Sequence, residues 1–234
     1  MDRRTLLSTL VAAATCPGAS LAAQGKRVAV FGDSLADGLW MGLRGAGKDG
    51  GAPEYARLGR VSSGLVKSGF YDWQAGAEKI AAGAYACGIC MVGLNDQQTI
   101  DTGGGRIPFG ASAWDDAYAD LVGSIVAAFA RRRVPLVWVG LPTVRDRRVS
   151  DGVHEINDVV SGVVTNGGGL FVSTWELTAG PDGRYTAFIA DERGRKSEMR
   201  APDGMHMTGE GYLLLGRMVE HRMREAALTA SLFG

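Results

Sequence analysis

The chain has 234 residues, 46% of them hydrophobic, and its 25 basic side chains balance 25 acidic ones. That length can bury one core, and the neutral balance excludes a global pull toward nucleic acid or an anionic membrane. The 35 glycines suit a fold with many tight strand-to-helix turns.

Residues 1–23 read as a signal peptide, leaving 24–234 as a single domain. Met1-Asp2-Arg3-Arg4 is a basic start, Thr5 to Ala14 is a short apolar run, and Ser20-Leu21-Ala22 supplies small residues for cleavage. The apolar run is too short to span a bilayer, so no stable membrane insertion is expected after cleavage. Arg3-Arg4 before Thr5-Leu6-Leu7 also resembles a twin-arginine signal, and both the Sec and the twin-arginine routes fit. Either route leads to the periplasm or the outside. Cys16 lies in a poor lipobox.

Arg27 to Phe31, ending at Gly32, reads as a first strand, and Leu35 to Leu43 has apolar residues at helical spacing. Tyr55 to Leu58 is a weaker strand. Trp73 to Ala82 reads as a helix and Tyr85 to Val92 as a continuously apolar strand. Cys87 and Cys90 fall within it, three positions apart and so on opposite faces, where they pack as small hydrophobes instead of sharing a metal or a bridge. Ala113 to Arg132 is the strongest helix, with Leu121, Ile125, Ala128 and Phe129 on one face. Pro135 to Val139 is a strand, Val153 to Val164 a helix, Leu170 to Ser173 a strand and Thr208 to Ala227 a final helix. Gly180 to Arg200 is a glycine-rich, charged excursion in which Tyr185 to Ile189 suggests an extra hairpin. Solid apolar strands alternating with helices indicate a parallel sheet covered on both faces. The expected fold is α/β: a flavodoxin-like three-layer α/β/α sandwich with a five-stranded parallel sheet, whose ligand site lies beyond the strands' C-terminal ends.

Four short segments fall where that rule places a site. They are Gly32-Asp33-Ser34-Leu35, Val61-Ser62-Ser63-Gly64, Gly93-Leu94-Asn95-Asp96 and Asp203-Gly204-Met205-His206. A serine hydroxyl needs a base within reach to become a nucleophile, and His206 is the candidate base. Asp203 on the same loop can hold the imidazole's tautomer and stabilise its charged form. The backbone N–H groups of Ser34 and Gly64 and the Asn95 amide can serve as oxyanion donors. Glycine at 64 would leave the substrate's approach clear. Each residue has a plainer role available. Ser34 can cap the following helix, Asn95 and Asp203 can form turns, Asp96 can cap a helix, and His206 can be a satisfied loop histidine. His154 and His221 read as surface or packing residues.

These four blocks, in order, resemble the SGNH (GDSL-like) hydrolases, whose four marker positions correspond to Ser34, Gly64, Asn95 and His206. Arg60 to Val66, Trp138 to Pro142 and Gly183 to Ala187 extend the likeness to the DUF459 branch of that superfamily. The resemblance implies an exported serine esterase that removes a small acyl group, acetyl above all, from a polysaccharide or other glycan through a Ser34–His206–Asp203 triad. The implied partner is an acylated glycan or small ester, and no nucleic acid. An acyltransferase using the same triad and a non-catalytic glycan-binding protein on the same scaffold are the alternatives. Asp33, Ser63, Tyr71, Trp73, Arg184 and Tyr185 are candidate substrate contacts, with Trp40 a further aromatic near the expected mouth. Arg60, Arg145 and Arg200 read as solvated surface charge more readily than as an anion site. No histidine–carboxylate cluster has metal-ligand spacing, so neither a metal nor a cofactor is expected. The α/β-hydrolase fold does not suit the chain, because only one strand precedes Ser34 and the acid shares a loop with the base.

Overall fold

The computed structural model describes residues 27–47, 51–190 and 196–233. The expected signal peptide and Cys16 lie outside the described residues, as does part of the 180–200 excursion. Among the described residues, no helix is long and apolar enough to cross a membrane.

The elements in chain order are β1 (Arg27–Gly32), α1 (Ser34–Ala46), β2 (Glu54–Gly59), α2 (Trp73–Ala81) and β3 (Cys87–Met91). A small antiparallel hairpin follows, β4 (Ile100–Asp101) with β5 (Arg106–Ile107). Then come α3 (Trp114–Arg132), β6 (Leu136–Val139), α4 (Arg147–Asn166), β7 (Leu170–Val172) and the single turn α5 (Trp175–Thr178). A second hairpin, β8 (Phe188–Ala190) with β9 (Lys196–Glu198), precedes α6 (Gly209–Glu225).

The main sheet has five strands in the order β2-β1-β3-β6-β7, all parallel. Apolar side chains project from both of its faces, so helices must cover both: α1 packs on α6, while α2 packs on α3 and α3 on α4. From β1 the chain moves outward to β2 and then returns across to β3. The strand order therefore reverses between β1 and β3, and a crevice opens there beyond their C-terminal ends. Phe31 anchors the core under that crevice, stacked on Phe129 and tilted against Trp73 with ring centroids 5.6 and 5.7 Å away. Cys87 and Cys90 are buried as free thiols in β3, and burial pushes both thiol pKa values up.

Two departures from the sequence reading concern boundaries. Helix α4 begins at Arg147, six residues before the expected Val153, because the Asp146 carboxylate caps it by accepting from the Val149 N–H. The expected hairpin is displaced: its first strand starts at Phe188, while Tyr185 forms a separate bridge to Ala179.

The contact that matters most for the site is between α1 and α6. Gly42 lies so close to α6 that a Cβ there would fall 1.8 Å from the Tyr212 carbonyl oxygen. Only a residue without a side chain permits this approach. Helix α1 starts at Ser34, and α6 starts three residues after His206. The helix pair thus brings together two residues that are 172 positions apart in the chain.

Candidate active site

Ser34 is the first residue of α1, directly beyond β1, and Asp33 caps the helix by accepting from the Leu35 N–H. A strand that turns at once into a helix presents this side chain at the sheet's end, with the helix N-terminus behind it. That N-terminus carries partial positive charge, which favours an anionic oxygen. The Ser34 hydroxyl lies 2.8 Å from His206 Nε2, and His206 Nδ1 lies 2.6 Å from Asp203 Oδ2. With the hydroxyl donating to Nε2, the ring proton sits on Nδ1 and is donated to the carboxylate.

Asp203 is also the hub of its own loop. Its Oδ1 accepts from the backbone N–H groups of Met205 and His206 at 2.8 and 2.9 Å. Partial burial would raise its pKa. The Met205 N–H, the His206 ring and the His206 N–H together outweigh that and hold the carboxyl down at about 2. The carboxylate is therefore charged throughout the neutral range, facing the imidazole it orients.

Two arginines brace this loop from below and from the side. Arg200 is buried, and its Nη2 donates to the Met205 carbonyl at 2.9 Å while Nε reaches toward the His206 carbonyl at 3.4 Å. Arg145, on the segment after β6, donates from its backbone N–H to the Gly204 carbonyl and from Nη1 to the Pro202 carbonyl, each at 2.9 Å. Reading Arg200 as solvated surface charge is corrected here: its head group serves the loop's carbonyls, and its face lies on the Tyr185 ring.

The opposite wall comes from the segments after β2 and β3. Asn95 donates one amide hydrogen to the Ser63 carbonyl at 2.8 Å, which leaves the second hydrogen free to point elsewhere. The Ser34 N–H heads its helix and has no acceptor within it. Among the described residues, the Gly64 N–H has no backbone acceptor either. The structure thus brings together Ser34, Gly64, Asn95, Asp203 and His206 from four segments of the chain.

Beneath them lie two buried carboxylates. Asp96 Oδ2 accepts from the Leu65 N–H and the Tyr118 hydroxyl, both at 2.9 Å, and Oδ1 accepts from the Val66 N–H at 3.1 Å. Burial raises its pKa against the pull of these three donors. A Cβ on residue 64 would lie 2.1 Å from Asp96 Oδ1. Glycine is therefore demanded by the carboxylate packed under it, a reason the sequence reading, which assigned the space to substrate, did not supply. Asp33 Oδ2 accepts from the Gly93 and Leu94 N–H groups, so this side chain ties the end of β1 to the end of β3. Burial outweighs those bonds, and the neighbouring Asp96 charge adds to it, so the Asp33 carboxyl is pushed up to about 7.

Three candidate substrate contacts are corrected by this burial. Asp33 and Ser63 are 0% exposed and Trp73 is 1% exposed, so none can touch a ligand. The Trp73 indole N–H donates to the Ser63 hydroxyl, which donates to the Arg60 carbonyl, and this fixes the loop that ends at Gly64. Tyr71 is half-buried, edge-on to Trp73 and beneath the Arg60 guanidinium. Arg184 is exposed and Tyr185 half-buried, the latter stacked between Arg145 and Arg200. Trp40 donates its indole N–H to the Tyr55 carbonyl, away from the crevice. His154 and His221 are exposed and face carboxylates on their own helices, Asp158 and Glu225. Asp96 caps no helix. A cleft of about 270 Å³ between the end of α3 and the start of β6 lies at the other end of the sheet and contains none of these groups.

The family DUF459, described as a protein of unknown function, matches residues 27–222. No curated protein sequence matches the chain. Among solved structures, the fold resembles a GDSL-like lipase from Bacteroides thetaiotaomicron at 15% identity and a TM-score of 0.57, over 84% of this chain and 86% of that one. A Bacteroides fragilis protein with an inferred acylhydrolase assignment is 14% identical with a TM-score of 0.60, over 88% of each chain. A Slackia heliotrinireducens protein with an inferred SGNH-hydrolase assignment is 16% identical with a TM-score of 0.56, over 85% of this chain and 99% of that one. The chain belongs to the DUF459 family and carries that family's sequence on the α/β fold of the SGNH hydrolases.

Proposed function

We propose that the chain is a serine esterase, exported to the periplasm or beyond, that removes a small acyl group, acetyl above all, from a glycan. The observation that carries this reading is the continuous hydrogen-bond chain from the Ser34 hydroxyl through the His206 ring to Asp203, at 2.8 and 2.6 Å.

The chemistry follows from that chain. The Ser34 oxygen attacks the ester carbonyl carbon while its proton passes to His206 Nε2. The resulting imidazolium is stabilised by the Asp203 carboxylate, which stays ionised in the process. The carbonyl oxygen gains negative charge as the tetrahedral intermediate forms. This mechanism assigns that charge to the N–H groups of Ser34 and Gly64, the remaining Asn95 amide hydrogen and the α1 N-terminus. Proton return from Nε2 to the leaving alcohol releases it, and water then repeats the sequence on the acyl-enzyme. Losing one such donor typically costs about 10²–10³ in turnover.

The N-terminal Arg3-Arg4 start with its short apolar run supports export. The test is hydrolysis of p-nitrophenyl acetate by the wild type and by Ser34→Ala. Turnover is expected in the first and none above background in the second; equal rates would overturn the reading. Recovery of the protein from the periplasm or medium, with its first two dozen residues removed, tests export separately.

A further inference from the structure

Beside the loop that carries Asp203 and His206 lies a cleft of about 290 Å³. Its lining includes three guanidinium side chains, Arg145, Arg147 and Arg184, and two aromatic rings, Tyr185 and Trp175. Asp151 and Asp182 are also at its walls, so the lining carries three positive charges against two negative ones. The Asp182 carboxylate is already engaged in part, accepting from the Arg184 N–H at 3.1 Å.

The cleft connects to the candidate active site through shared residues. Arg145 lines it and also holds the Pro202 and Gly204 carbonyls. Tyr185 lines it and lies under the Arg200 guanidinium, which holds the Met205 carbonyl. At its far side Trp175 also lines a second cleft, of about 340 Å³, with Phe171, the polar side chains of Asn157, Ser161 and Ser173, and the paired His154 and Asp158. Tyr185, Trp175 and Phe171 thus mark a path that leads away from His206. The guanidinium groups stand at its near end, and at its far end the Asp158 carboxylate is paired with His154 among hydroxyl and amide groups.

We propose that this path is the binding track of an anionic polysaccharide. Resting on the esterase reading, it names the substrate class as an O-acylated glycan that carries carboxylate groups. Sugar rings lie against Trp175, which offers a large apolar face at low entropic cost, while Tyr185 keeps its faces on the two arginines. Carboxylates meet Arg147 and Arg184, whose planar forks match them in two-pronged hydrogen bonds. Two neighbouring clefts that share Trp175 as a wall fit several consecutive sugar units, and so a polymer in preference to a free small ester.

The test compares three substrates: O-acetylated polygalacturonate, O-acetylated glucomannan as a neutral polymer, and p-nitrophenyl acetate. The wild type is expected to have a kcat/KM at least tenfold higher on the acidic polymer than on the neutral one, and this preference should shrink with added salt. Trp175→Ala should lower kcat/KM on the acidic polymer about tenfold through KM, the scale of losing one aromatic anchor. The double variant Arg147→Ala/Arg184→Ala should abolish the salt dependence. Both should leave p-nitrophenyl acetate turnover within about twofold, since neither truncation reaches the groups around Ser34.

Gel retardation of Ser34→Ala by polygalacturonate, but not by glucomannan, reads the same track without any turnover. Equal use of the two polymers, unchanged KM in the variants, or a parallel loss on p-nitrophenyl acetate would overturn the track. None of those results touches the esterase reading, which fails only if Ser34→Ala remains active.

Discussion

Asp203 and Asp33 are each one step from Ser34, and their surroundings drive them in opposite directions. Asp203 sits on a loop with 41% of its side chain exposed; two backbone N–H groups and the His206 ring hold its carboxyl at about 2. Asp33 is fully buried and receives three N–H groups, yet desolvation wins and its carboxyl rises to about 7. The exposed aspartate has a permanent charge to present to an imidazole. The buried one, with Asp96 beside it, has its lone pairs committed to backbone N–H groups and works as a fastener between segments. Proximity to the reacting hydroxyl therefore does not decide the role of a carboxylate. Solvent and partner geometry do.

The comparison is open to attack at both ends. The largest expected effect is on catalysis: Asp203→Asn keeps an acceptor for the Met205 and His206 N–H groups but removes the charge facing the imidazole, and should lower kcat on p-nitrophenyl acetate by about 10⁴-fold at a smaller cost in stability than the loss of Asp96. A marked loss of stability in that variant would erase the distinction. Asp96→Ala strands three donors at Leu65, Val66 and Tyr118, and the cost should be about 3–5 kcal/mol in urea unfolding. Asp33→Asn keeps the shape but turns amide hydrogens toward N–H groups that need an acceptor, and should cost roughly 1–3 kcal/mol at pH 5.

The pH dependence has a defined sign for each group. The Asp33 pKa is raised above its ordinary value of 3.8, so its contribution to stability is full below 3.8 and is lost as pH rises through about 7. Asp203 is the reverse, contributing fully above 3.8 and losing that contribution as pH falls through about 2. Urea unfolding from pH 4 to 8 should therefore show stability declining more steeply in the wild type than in Asp33→Asn. Parallel profiles would place the raised pKa elsewhere. At the small end of the scale, His221→Ala should change neither turnover nor the unfolding midpoint measurably, because its partner among the described residues is the exposed Glu225.

The main sheet was legible in the sequence because its strands are buried on both faces and so read as unbroken apolar runs; Cys87 to Met91 is the clearest. The start of α4 was not, because its first turn is polar and the cap at Asp146 precedes any apolar periodicity. The five residues brought together at the crevice were readable from motifs at strand ends. Their supports were not. Arg200 sits in a charged, glycine-rich stretch with no period to reveal that it is buried, and its bonds to the Met205 and His206 carbonyls, five and six residues on, give it a role. The sequence also offers Ser63 and Trp73 as substrate contacts. The hydrogen bond between them, ten residues apart, is a tertiary fact that spacing alone does not encode.

The close approach of α1 and α6 at Gly42 acts as a fulcrum. Residue 42 lies eight positions along α1 from Ser34, a lever arm of about 12 Å at 1.5 Å per residue. A tilt of about five degrees at the crossing would swing the Ser34 hydroxyl by roughly 1 Å, a displacement that can cost about a hundredfold in rate. The reactive distance is thus set by a pivot two helical turns away, and a single methyl group added at that pivot would detune the enzyme without touching any residue at the crevice.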